Sequence, residues 1–109
     1  MVSKLYDFYV GPDTSLEGAS LVVIGTAKVD GLVRGKIIAE HLIVGREATV
    51  GGEVQSETAL VYGLLEDSIA IKAKLTVRSS GRIRGSVSYG SLETQDGAKL
   101  VGRVSTGSD

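Results

Sequence analysis

His41 is the one imidazole in the chain, and it directly follows Glu40. A histidine beside a carboxylate is the smallest set that can do general acid–base chemistry, because the ring changes charge near neutral pH. Nothing else in the sequence completes such a site. No nucleophile motif is present, no glycine loop followed by Lys and Ser or Thr cradles phosphate, and no spacing of His, Asp and Glu suits a metal ion. The chain has no cysteine, which excludes disulfides and thiol chemistry. Glu47, Glu53, Glu57 and Glu66 sit among apolar neighbours in the pattern of a solvated face, and two of them pair only if the fold stacks them. Lys72, Lys74, Arg78, Arg82 and Arg84 share one parity, so they read as a solvated face or as a positive stripe for an anionic partner. His41 itself reads as a corner or surface residue. No catalytic, cofactor-binding or metal-binding residue is assigned, and no cofactor is expected.

The elements that carry these side chains are set by a repeat. Gly35/Ile37, Gly52/Val54, Gly85/Val87 and Gly102/Val104 recur at about 17 residues, Asp67/Ile69 fills the gap in the series, and Gly18 begins it. Two residues before each marker stands an aliphatic side chain: Leu16, Val33, Val50, Leu65, Ile83, Leu100. A second apolar pair follows in each unit, as Leu42 and Val44, Ala59 and Val61, Leu75 and Val77, then Leu92 with Thr94. The chain therefore reads as about six coils.

From Ala59 to Tyr89 the odd positions are apolar or Gly, apart from Asp67 and Ser79. This is the period of a strand, yet strands rarely exceed about 10 residues. The chain must turn corners without losing its inside–outside phase, which is what a parallel β-solenoid does. A coil of this length suits three short sides. The phase slips near 39–42, 56–59 and 89–92 predict corners with an extra residue. A single coil buries too few side chains to offset the entropy of ordering its backbone, so stability must come from stacking.

Composition narrows the function further. A net charge of −1 on 109 residues gives no electrostatic drive toward nucleic acid. No apolar run is long enough to span a membrane, and the opening MVSKLYDFYV lacks the apolar core of a secretory signal. A cytoplasmic protein is expected. Residues 1–13 read as a flexible aromatic segment, 14–105 as the solenoid and 106–109 as a disordered tail. Tyr6, Phe8 and Tyr9 are candidates for contact with a membrane surface, and folding back over the first coil is the alternative.

The runs VDGLVRGKIIAEHLIVGREATVGGEV, VYGLLEDSIAIKAKLTVRSSGRIRGSV and DGAKLVGRV resemble the bactofilins over roughly Leu16 to Ser105. The resemblance rests on the opening VDGxVxG, the alternating Val-x-Gly-x-Val cores and the closing GAxxxGxV. It implies an all-β, right-handed, three-sided parallel β-helix that polymerises end to end without nucleotide. It also implies filaments under the inner membrane that scaffold cell-wall enzymes, with MVSK similar to the membrane-anchoring openings of other members. The chain departs from the family at Asp67, where glycine is usual, at Leu100, where an aromatic is frequent, and in its short tails. The residues agree on the ends: Leu16 and Leu21 at one, Leu100 and Val104 at the other, form a polymerisation interface that no helix or proline-rich cap covers. Two other readings remain open at this stage. One is a β-helix that binds a partner through a side face without polymerising. The other is an acyltransferase of the hexapeptide-repeat type with His41 as base, suggested by VGREATVGGEV.

Overall fold

The computed structural model describes residues 8–106, apart from the side chains of Ala19 and of residues 103–106. Seven strands succeed one another: β1 (Phe8–Val10), β2 (Ser15–Val29), β3 (Leu32–Val44), β4 (Thr49–Val61), β5 (Leu64–Val77), β6 (Arg82–Thr94) and β7 (Lys99–Thr106). Each pairs in parallel only with its sequence neighbours, in the order β1-β2-β3-β4-β5-β6-β7. Parallel pairing between consecutive strands requires the chain to return to its starting side. Here it does so by winding, one coil per strand, with no helix among the described residues. The product is a β-solenoid of about six turns.

Breaks inside each strand divide a coil into three sides. In β3 the first side runs from Leu32 to Gly35, the second from Lys36 to Ala39 and the third from His41 to Val44, with Glu40 at the corner. The inward side chains form columns. Val33, Val50 and Leu65 are fully buried and Ile83 nearly so, each resting on the one before through the registers Val33↔Val50, Val50↔Leu65 and Leu65↔Ile83. The second apolar pair of the repeat builds two further columns on the third side, Leu42–Ala59–Leu75 and Val44–Val61–Val77.

Coil length varies while the sides stay constant. Leu32 pairs with Thr49, 17 residues on; Thr49 with Leu64, 15 on; and Leu64 with Arg82, 18 on. The differences lie in the connections. β3 and β4 are joined by four residues, Gly45–Ala48, closed by an Ala48 N–H to Gly45 carbonyl bond of 3.0 Å, whereas β4 and β5 are joined by Tyr62 and Gly63 alone. The corner between the second and third sides is one residue at Glu40 and Glu57 but two at Lys72–Ala73, where the register shifts. Ladder hydrogen bonds and core columns fix the sides, so insertions are tolerated only at corners.

The markers of the repeat are the corners between first and second sides. Gly18, Gly35, Gly52, Gly85 and Gly102 all have positive φ, and so does Asp67 at 80°. A Cβ on Gly52, Gly85 or Gly102 would collide with the carbonyl oxygen of the marker one coil earlier. The inward parity of these positions is therefore misleading. The left-handed turn directs a Cβ at Gly52, Gly85 or Gly102 toward the preceding coil, and Asp67 is exposed. The pairing of β4 with β5 passes over Gly52 and Asp67, and the Gly52 N–H donates instead to Asp67 Oδ2 at 2.9 Å. A short polar side chain that tolerates this conformation and supplies its own acceptor substitutes for glycine.

The stack starts earlier than the sequence boundary at residue 14. β1 lies inside the segment 1–13, where Phe8 pairs with Ala27 and Val10 with Val29. Val10 is 2% exposed, so this rung belongs to the core. Its physical reason is that Val10 extends the column of Val29 and Val44 and covers it from above.

Candidate functional site: the open ends of the solenoid

The side chains that could do chemistry are placed apart by the coils. His41 is exposed on the third side, and its Nδ1 lies 2.6 Å from Thr58 Oγ1, the residue above it in the ladder. That contact orients the ring along the surface. Among the described residues no three of His, Cys, Asp and Glu converge as a metal site would need. The polar interior is as sparse: Ser56 is buried and satisfied by donating to the Thr58 carbonyl at 2.6 Å.

The basic set does not form a stripe. Arg82 and Arg84 lie on the first side of β6, Lys72 at a corner, Lys74 on the third side and Arg78 in the turn after β5. Even-length corners preserve parity while changing the side, which separates residues that alternate in phase along the sequence. Local partners divide them further. Lys74 pairs with Glu93 at 3.0 Å, Arg84 with Glu66 at 4.0 Å, and Arg78 stands 5.5 Å from the centre of the Tyr62 ring. Exposed pairs of this kind contribute about 0–1 kcal/mol each.

The two ends are different. At the N-terminal end, β1 pairs only with the third side of β2, and no described strand pairs with that edge of the first two sides, from Ser15 to Val23. Leu16, Leu21 and Val23 point into the core there but are only partly buried. At the C-terminal end, β7 covers the first two sides of β6, and no described residue pairs with its third side, from Ser91 to Thr94. Leu92 on that side, and Leu100 in the last described rung, are half-buried. Among the described residues, each end thus presents partly buried apolar side chains beside a strand edge with no further strand paired to it, a combination that templates further strand pairing.

Of the interface residues expected from sequence, Leu16 and Leu21 fall at the first end and Leu100 at the second. The backbone of Val104 pairs with Val87 in the last rung, while its side chain lies outside those described. Val23 and Leu92 complete the two ends and were not picked out by sequence. Leu92 is already visible as the last aliphatic member of the second apolar pair, with polar Thr94 beside it where the other coils have Val. Phe8 and Tyr9 do not share a surface. Tyr9 is 52% exposed, Phe8 packs against the core on the opposite face of β1, and Tyr6 lies outside the described residues. No helix among the described residues is long and apolar enough to cross a membrane.

Among the described residues the chain is a parallel β-solenoid, a fold of the repeat class, with partly exposed apolar side chains at both of its ends. The family described as bactofilin, polymer-forming cytoskeletal, matches residues 8–105. The chain belongs to the bactofilin family. A solved structure, the cryo-EM reconstruction of Thermus thermophilus bactofilin double helical filaments, resembles it with a TM-score of 0.74 at 31% identity, over 91% of this chain and 98% of that one. No curated protein matches.

Proposed function

We propose that this chain assembles end to end through its open coils into filaments that need no nucleotide. The observation that carries the proposal is the contrast within one core column: Val33, Val50 and Leu65 are 0% exposed, whereas Leu16 and Leu100 at its two ends remain partly exposed. Fully burying an aliphatic side chain is worth about 1.5–3 kcal/mol. A few such residues at each end offset an association cost of about 4–15 kcal/mol only if ladder hydrogen bonds also form across the junction. The parallel edges of β2 and β7 supply the groups for those bonds.

In a cell, such a filament serves as a cytoplasmic scaffold at the inner face of the membrane, supporting cell shape and holding cell-wall enzymes in place. Tyr6 and Tyr9 are the contacts proposed for the membrane surface, and Tyr9 supports that role by projecting from β1 into solvent. The test is Leu100→Arg, which puts a charge into the end column. Negative-stain imaging and sedimentation without nucleotide should show filaments for the natural chain and short species for the variant. Undiminished filaments from Leu100→Arg would remove the C-terminal coil from the interface.

A further inference from the structure

One side face of the solenoid holds aliphatic side chains in water. Val22 and Ile24, on the second side of β2 and at the corner after it, are 70% and 84% exposed. They open a groove of about 370 Å³ that crosses four coils, past Glu40 and Glu57, to Ala70 and Lys72. Glu40 and Glu57 are the single-residue corners of adjacent coils, about 4.8 Å apart in backbone spacing. Neither belongs to an ion pair among the described residues. Like charges stacked this closely repel, so a cation placed between them is favoured. The groove therefore fits an occupant whose side chains come in a fixed order: a large apolar group on Val22 and Ile24, a cation at Glu40 and Glu57, then a second apolar group at Ala70. Lys72 excludes another cation at the far end.

Residues 1–7, MVSKLYD, lie outside the described residues, but the position of β1 fixes where they join the fold. Phe8 pairs with Ala27, two residues past Gly25, so the segment joins beside the Ile24–Gly25 corner, at the mouth of the groove. Counted from β1, Val22 and Ile24 lie one rung away, Glu40 and Glu57 two and three, and Ala70 four, which is about 5, 10–14 and 19 Å along the stack. Tyr6, Lys4 and Val2 precede Phe8 by two, four and six residues, or about 7, 13 and 20 Å of extended chain. Alternation puts these three side chains on one face of such a chain.

We propose that residues 1–7 seat in this groove of their own chain, with Tyr6 on Val22 and Ile24, Lys4 between Glu40 and Glu57, and Val2 against Ala70. Order, spacing and charge all match. Leu5 and Asp7 fall on the outer face, so the carboxylate of Asp7 is kept away from the two glutamates. A seated segment holds Tyr6 off a membrane, so groove and membrane compete for the same residues. That consequence rests on the membrane contact proposed above; the seating itself does not.

The chain has no native cysteine, so an introduced pair reports a single contact. In dilute protein, mild oxidation should close an intrachain disulfide in the Val2→Cys, Ala70→Cys chain about tenfold faster than in the Val2→Cys, Thr76→Cys chain. Thr76 is the control because it lies in the same coil as Ala70, four rungs from β1, but on the third side. Adding Lys4→Glu, or Glu40→Lys together with Glu57→Lys, should erase the advantage, and combining the reversals should restore it. Glu40 and Glu57 are exposed, and circular dichroism checks that the variants fold. Ile24→Ser should slow the disulfide and, in the cysteine-free chain, raise co-sedimentation with phosphatidylglycerol vesicles about threefold.

Equal rates for the two cysteine pairs, or an advantage indifferent to either charge reversal, overturn the proposal. So do disulfides found only between chains, which would give the groove to the segment of a second copy. A charge-dependent advantage with vesicle binding that ignores Ile24→Ser would uphold the seating while the membrane contact failed. Vesicle binding without any disulfide advantage would do the reverse.

Discussion

The middle of the solenoid and its two ends are made of the same column of aliphatic residues, yet only the middle is satisfied. Leu65 and Leu100 occupy equivalent places in the coil, two residues before a corner with positive φ. Leu65 has a rung on either side and is 0% exposed; Leu100 has Ile83 on one side and, among the described residues, no strand on the other. Residue type does not separate them. Neighbour number does, and in a stack where each coil contacts only adjacent coils that number falls at both ends. The proposed end-to-end assembly therefore draws on position in the repeat, not on an unusual side chain.

The largest effect expected from this comparison is Leu65→Ala. Removing a fully buried leucine from a narrow core should cost about 2–5 kcal/mol, with Leu100→Ala costing well under half as much because its site is already partly hydrated. Urea denaturation of dilute, unassembled protein measures both. Equal losses at the two positions would mean that the end coil is covered within the single chain. The assembly phenotype should run the other way, with Leu100 variants shortening filaments before they lower stability.

Next in size is the contrast between two corner glycines. Gly85 has φ 114° and a Cβ there would strike the Asp67 carbonyl oxygen, whereas Gly18 has φ 68° and open space around it. Gly85→Ala combines backbone strain of about 1–3 kcal/mol with displacement of the neighbouring coil. Gly18→Ala bears only the left-handed penalty, roughly 1 kcal/mol. Thermal denaturation should rank Gly85→Ala clearly below Gly18→Ala. The reverse order would contradict close approach between successive corners.

Most of this architecture could be read from sequence because alternation survives winding, and the reason it survives explains what could not be read. Between Ala59 and Tyr89 the chain passes Tyr62–Gly63, Lys72–Ala73 and Arg78–Gly81, all connections of even length. An even insertion returns the next side chain to the same phase, so these corners left no trace, and the basic residues around them read as one stripe. The single-residue corners at Glu40, Glu57 and Gly90 flip the phase, and they fall within the slips at 39–42, 56–59 and 89–92. The end positions of Leu16, Leu21 and Leu100 follow from counting coils. The groove lined by Ile24, Gln55 and Lys72 does not, because it joins residues of four successive coils that lie far apart in the sequence.

The smallest effect tests why one marker is not glycine. Asp67 sits above Gly52 in the shortest interval of the series, where the ladder opens and the carboxylate takes the Gly52 N–H at 2.9 Å. Asp67→Gly relieves the left-handed penalty of roughly 1 kcal/mol but forfeits a hydrogen bond worth about 0.5–1.5 kcal/mol net, so its stability should stay within about 1 kcal/mol of the natural chain. Asp67→Ala loses the bond and keeps the strain, for a cost of about 1–2 kcal/mol. Asp67→Asn keeps an acceptor and tolerates the conformation, and should lie between them. The order Gly, Asn, Ala from most to least stable would show that the corner is governed by backbone angle, with the carboxylate as compensation. An alanine variant as stable as the glycine one would mean that the angle at this corner relaxes without its side chain.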